Sequence, residues 1–234
     1  MRIDLPRVTK PSVDPIPFNW RTVGCLLFLF GIPGIPAIFI LGLTAVGVMS
    51  PERMTDVINA QYYETPFVIF IHGMSGVVFF LSMPFQFATR LRFRHPKLHR
   101  INGYVAFLSA CLMGASGVWM HLVFASDTVN TQLLISLIIA LAICLNFSVA
   151  IYYAIKRHIE SHQRWIYFAT AASLAVVSPV LLELLALPIQ AVNISWYQKT
   201  SHLLNEYGEL LALLLNTALA QWMFRKNVDM SNCY

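Results

Sequence analysis

The chain carries seven histidines, and any chemistry it performs would start with them. Two stretches repeat one spacing, His95-Pro-Lys-Leu-His99 and His158-Ile-Glu-Ser-His162. Imidazoles at i and i+4 share a helix face and can chelate an ion. His95, His99, His158 and His162 together would form a metal site for zinc or iron, with Glu160 beside it. Imidazole is equally a standard axial ligand of haem iron. For that role His99 pairs best with His162, at similar depth on two helices, and the second pair is His72 with His121. The plain alternative is that basic loops at a membrane surface hold histidines for contact with lipid headgroups. The HxxxH spacing is weak by itself, and Pro96 disturbs the helix that would align His95 with His99.

Other polar groups sit in apolar stretches, where an unpaired polar group is costly. They are Gln86, Asn146, Glu183 and Asn216, with Glu209 and Gln221 on the last stretch. Glu183 is the only carboxylate well inside a stretch, so it is expected to face the interior and pair with a polar group, His72 first among them. Pro179, one turn earlier, would kink that helix or free a carbonyl. Cys25, Cys111, Cys144 and Cys233 show no ligand spacing. Three of them lie in apolar runs as small packing residues, so neither a disulfide nor a cysteine metal site is expected.

What must position these groups is a set of apolar helices. The chain is 57% hydrophobic and 12% charged, against roughly 25% charged for a soluble domain. Apolar runs fall near 23–48, 66–89, 101–124, 132–155, 165–189 and 207–224. Each approaches the ~20 residues that a hydrocarbon core of ~30 Å demands. A backbone in lipid must satisfy its own hydrogen bonds, so these runs are helices. The first run exceeds the ~7–15 residues of a signal-peptide core. The expected fold class is all-α, a polytopic transmembrane helix bundle with six spans. Its parts are an arm over 1–22, the transmembrane domain over 23–226 and a tail over 227–234.

Lys and Arg set the orientation. Arg2, Arg7, Lys10 and Arg21 lie in the arm, and Arg90, Arg92, Arg94, Lys97 and Arg100 in one loop. Lys156, Arg157 and Arg164 lie in a second loop, and Arg225 and Lys226 at the tail. The opposite face holds only Arg53 and Lys199. This alternation puts both termini in the cytoplasm of a cell inner (plasma) membrane. The net charge of +5 therefore sits in short blocks between spans, which is not a nucleic-acid interface.

Helical spacing then lines up the polar groups. On the second run, His72, Gly76, Phe79, Met83, Gln86 and Arg90 share a face. On the third, His99, Gly103, Ala106, Ala110, Gly114, Gly117 and His121 form a stripe of mostly small residues. Such a stripe reads as close helix packing or as a groove that admits a flat cofactor. His99 and His121 stand 22 residues apart, about 33 Å along a helix, which argues against two closely stacked haems.

Several motifs in order, His72-Gly-Met-Ser-Gly, Pro84-Phe-Gln-Phe, Arg90-Leu-Arg, Leu98-His99-Arg100-Ile-Asn-Gly103, Ser116-Gly-Val-Trp-Met120 and His162-Gln-Arg-Trp165, carry a resemblance. Over about residues 66 to 226 the chain resembles the bacterial predicted membrane proteins grouped as domain of unknown function 2306. The resemblance implies a multi-helix membrane domain with His72, Gln86, His99, Arg100, Gly103, His162 and Trp165 at family positions. It implies no activity. The chain departs from the family pattern at His95, His121 and His158, and at Gln221, where the family often has glutamate. His72, His99 and His162 are accordingly the better candidates.

Three readings stay open. One is an accessory or structural membrane subunit, or a small transporter, without catalysis of its own. The second is a membrane electron-transfer protein holding haem b. The third is a metal-dependent enzyme with zinc or iron at its inner surface. The expected partners are the lipid bilayer and other membrane subunits.

Overall fold

The computed structural model describes residues 18–54, 56–124, 130–191 and 195–231, with the side chains of 186–200 and 227–231 outside the description. Most of the arm, the loop holding Asp127, and Cys233 therefore lie outside the described residues. Among the described residues there are helices and connecting turns and no strand. The helices are α1 (Trp20–Met49), α2 (Gln61–Glu64), α3 (Pro66–Ser82), α4 (Thr89–Arg94), α5 (Pro96–Phe124), α6 (Thr131–Ile155), α7 (Ile159–Leu174), α8 (Val177–Ala191) and α9 (Ser195–Ser231). Short 3-10 segments follow α1 at Pro51–Arg53 and α3 at Met83–Phe87.

Among the described residues, four helical segments are long and apolar enough to cross a membrane: Trp20–Met49, Pro66–Phe87, Pro96–Phe124 and Thr131–Ile155. The pair α7 and α8, bent by 50°, makes a fifth if it is one broken span. The run 207–224 falls inside α9, whose leucines are diluted by Glu209, Asn216 and Gln221. Leu108, Leu141, Leu145, Leu185 and Leu215 are exposed, as side chains facing acyl chains must be.

Proline explains where the helices depart from the uniform spans read in the sequence. Pro66 and Pro96 start α3 and α5, at a position where the missing N–H costs nothing. Pro84 sits in the 3-10 turn that closes α3. Pro179 lies in the first turn of α8, and its ring is incompatible with a helical carbonyl at Ala175, so α7 ends at Leu174. The groups freed by these breaks find partners. Asn216 on α9 donates to Ala171 O at 3.4 Å and to Ser178 Oγ at 3.0 Å. Asn102 donates to Ser82 O at 2.8 Å. Asn19 donates to Phe87 O at 2.6 Å and accepts from the Thr89 N–H at 3.0 Å, tying the start of α1 to the loop before α4.

α5 packs against α3, α4 and α6; α6 packs against α7; α9 closes on α6, α7 and α8. The small-residue stripe of α5 faces inward. Ala106 and Ala110 are fully buried, and Gly114 meets Ala140 of α6, where a Cβ would stand 3.2 Å from the alanine methyl. The core gathers Phe30, Phe79, Met83, Ala106, Ala110 and Phe147 with alanines of α7.

Candidate functional site

Two cavities lie along the inward face of α5, one at each end, called inner at the His99 end and outer at the His121 end after the orientation expected from sequence. The inner cavity, about 820 Å³, takes His99 and Gly103 from α5 and His162 and Gln163 from α7. Gln86 of the 3-10 turn closes one wall, where a Cβ on Gly103 would stand 3.2 Å from Gln86 Oε1. The rim is polar and basic, with Arg92, Arg100 and Arg157.

Both histidines of this cavity are half-buried. His162 Nδ1 lies 2.9 Å from Ala150 O, and a carbonyl only accepts, so Nδ1 carries the proton. Nε2 of a neutral His162 is then the free lone pair. His99 Nδ1 is buried and has no hydrogen-bond partner. His99, His162 and Arg92 line this one cavity together. Arg157 adopts φ 60°, the left-handed region that helix ends usually give to glycine. The His158 N–H donates to Tyr153 O at 3.0 Å and completes that helix-ending turn.

The outer cavity, about 580 Å³, takes His72 and Gly76 from α3, Gly114, Gly117 and His121 from α5, Gln132 and Ser136 from α6, and Glu209 from α9. Among the described residues neither lysine nor arginine lines it. His72 Nδ1 lies 3.1 Å from Met113 O and 3.2 Å from Ser116 Oγ. The Ser116 hydroxyl spends its proton on Leu112 O at 2.6 Å. Both partners of Nδ1 are therefore acceptors, which fixes the proton on Nδ1 and leaves Nε2 of a neutral His72 as an acceptor. His121 Nε2 lies 2.8 Å from Ser136 Oγ.

Residues 69–224 match the family model described as predicted membrane protein (DUF2306). The chain belongs to that family. Comparisons with curated proteins and with solved structures gave no match. The DUF2306 match runs from within α3 to within α9 and contains the cavity residues of those helices, while the α1 wall, with Phe30, Pro33, Gly34 and Ala37 in the outer cavity, lies before it.

Set on this DUF2306 scaffold, the candidate residues sort clearly. His99, His162 and Gln86 meet at the inner cavity, and His72 and His121 at the outer one. His95 and His158 do not join them: both are exposed and line neither cavity. The backbone turns at His95 before Pro96 starts α5, which separates His95 from the helix face carrying His99. Among the described residues no group of three or more His, Cys, Asp or Glu is placed to hold a metal ion. Glu183 is exposed on α8 instead of pointing into the bundle, and the ring contacts of His72 go to Met113 and Ser116. The bend before Pro179 redirects the face on which the sequence placed Glu183. Asn146 donates to Ala142 O of its own helix at 2.7 Å. His202 pairs locally with Glu206 at 3.8 Å. The free thiols of Cys111 and Cys144 neighbour each other between α5 and α6.

Glu209, one of the polar groups of the last apolar run, lines the outer cavity where Glu183 was expected. One feature of the site is not marked by sequence. Ser116 and Ser136 orient the outer histidines, and serines in apolar helices carry no signal that separates them from ordinary back-bonding serines. The charges of Arg92 and Arg157 were visible as orientation signals; their convergence on a cavity was not.

Proposed function

We propose that the protein is a six-span inner-membrane protein with both termini in the cytoplasm, and that its inner cavity holds one b-type haem between His99 and His162. The observation carrying this reading is that one cavity takes an imidazole from each of two helices, with glycine as part of its wall. The Ala150 carbonyl gives His162 the outer hydrogen bond that ligating histidines almost always have, leaving Nε2 for iron. The unmet Nδ1 of His99 marks that ring as one whose hydrogen bonding the protein alone does not complete. The cavity volume falls within the ~300–1,000 Å³ of small-molecule and cofactor sites. Arg92, Arg100 and Arg157 suit two anionic propionates at a wet rim. A bis-histidine haem supplies one-electron transfer, so the reading is a membrane electron-transfer protein. The Lys and Arg bias and the apolar runs support the topology.

The test is the absorption spectrum of protein purified from cells supplied with haem. The expected result is a Soret band that His99→Ala and His162→Ala each abolish and that His72→Ala keeps. Protein without a chromophore would leave the accessory-subunit or transporter reading in its place.

A further inference from the structure

The outer cavity poses a chemical requirement that the inner one does not. Gly76 of α3 and Gly117 of α5 line it without side chains of their own, while Gly114 packs against Ala140. A Cβ on Gly76 would meet only Met113 Sδ at 3.7 Å, and one on Gly117 would meet His72 Cε1 at 3.4 Å. The room for a planar group is the cavity of about 580 Å³ itself, which α1, α3, α5 and α6 line together. The remaining wall is apolar and aromatic, from Phe30, Phe79, Phe80, Ile139 and Ile143. Among the described residues the lining holds no Lys or Arg, which disfavours an anionic ligand, and Glu209 adds no positive charge.

Polar groups reach this slot from separate helices. His72 offers an acceptor, because Met113 O and Ser116 Oγ hold its proton on Nδ1. The His121–Ser136 pair offers a second polar contact from α5 and α6. A fitting ligand is flat, uncharged and lipid-soluble, with a hydroxyl proton for His72 and a further polar atom for His121 and Ser136.

We propose that the outer cavity binds the aromatic head of a quinol-class lipid, one hydroxyl donating to His72 Nε2 and the other oxygen facing the His121–Ser136 pair. This site rests on geometry separate from the inner cavity and stands whether or not haem occupies that cavity.

The test titrates the full-length protein in lipid nanodiscs with decylubiquinol and, separately, with its di-O-methyl ether, read by calorimetry. The ether keeps the ring and tail and lacks both hydroxyl protons. Saturable quinol binding is expected, with the ether weaker by roughly tenfold or more, the scale of one buried hydrogen bond. His72→Ala should weaken the quinol by a similar factor. Gly76→Leu should abolish binding, since its side chain grows into the slot where only Met113 Sδ is near. Circular dichroism and gel filtration check that the variants fold, and Ser136→Ala gives a milder second variant with an expected severalfold loss. Absence of saturable binding to the native protein overturns the proposal. So does equal affinity for quinol and ether, which would mark a slot for acyl chains. So does a chromophore lost in His72→Ala yet kept in His99→Ala and His162→Ala, which would place haem in the outer cavity.

Discussion

The rings of Phe79 and Phe147 meet edge to face, with centroids 6.1 Å apart and planes at 85°. Phe79 belongs to the wall of the outer cavity and Phe147 to the wall of the inner one. Phe30 adds a second edge-to-face contact to Phe79 at 5.2 Å, and Phe107 leans on Phe147 at 6.3 Å. Ala106 and Ala110 seal the same level of α5. The two cavities are thus separate chambers divided by an aromatic septum.

Phe147 is 1% exposed, so removing its ring leaves a void that joins the chambers. Phe147→Ala is expected to cost about 3–5 kcal/mol, as large-to-small core changes do. Phe39→Ala on α1, where the ring is exposed, should change little. Thermal unfolding midpoints in one detergent compare the two variants. A Phe147→Ala midpoint equal to that of Phe39→Ala would mean that the ring faces lipid and that there is no septum.

The stripe on α5 makes a second contrast. Ala110 is 0% exposed and Leu108, two residues earlier, is 60% exposed. Ala110→Leu inserts volume into a full interface and should cost roughly 1–3 kcal/mol or prevent folding. Leu108→Phe adds more atoms on the outward face and should be tolerated. Yields of folded protein by fluorescence-detected gel filtration give the comparison, and equal yields would overturn the packing of this face.

The helices and the α5 stripe were legible because lipid imposes strong rules. Apolar length marks a span, and a run such as Gly103, Ala106, Ala110, Gly114 and Gly117 repeats at helical spacing. The meeting of His99 with His162 followed from one further step, that their loops share a membrane face. Glu183 was misplaced because periodicity was carried straight through a proline, whereas the chain breaks at Ala175 and Val176 and bends by 50°. His95 was grouped with His99 by counting residues across Pro96, which starts a new helix. Division of the interior into two chambers depends on the rotamers of Phe79 and Phe147, and no spacing rule reports those.

Orientation is open to direct labelling. In a background without Cys25, Cys111, Cys144 and Cys233, a cysteine at Asp56, in the turn after α1, should react with an impermeant maleimide added outside intact cells. A cysteine at Lys97, in the first turn of α5, should react only after lysis. The positive-inside count predicts this pattern, with Arg53 the only basic residue near the first site. The opposite labelling would turn the bundle over and place the inner cavity outside the cell.

Arg157 separates a structural role from a site role. Its φ of 60° is unfavourable for any residue with a Cβ, by about 1–2 kcal/mol. Glycine is free of that penalty, though its more flexible unfolded chain offsets part of the gain. On backbone grounds alone, Arg157→Gly should therefore leave stability unchanged or slightly raised. Such strain, held by a charged residue at the rim of a cavity, is expected where the side chain serves a bound group. The substitution removes one of three guanidinium groups from the inner rim. Haem retention against an excess of apomyoglobin should fall, while the unfolding midpoint of the haem-free protein holds or rises. A midpoint that drops with retention unchanged would make Arg157 a structural residue and remove the guanidinium rim from the argument for an anionic ligand.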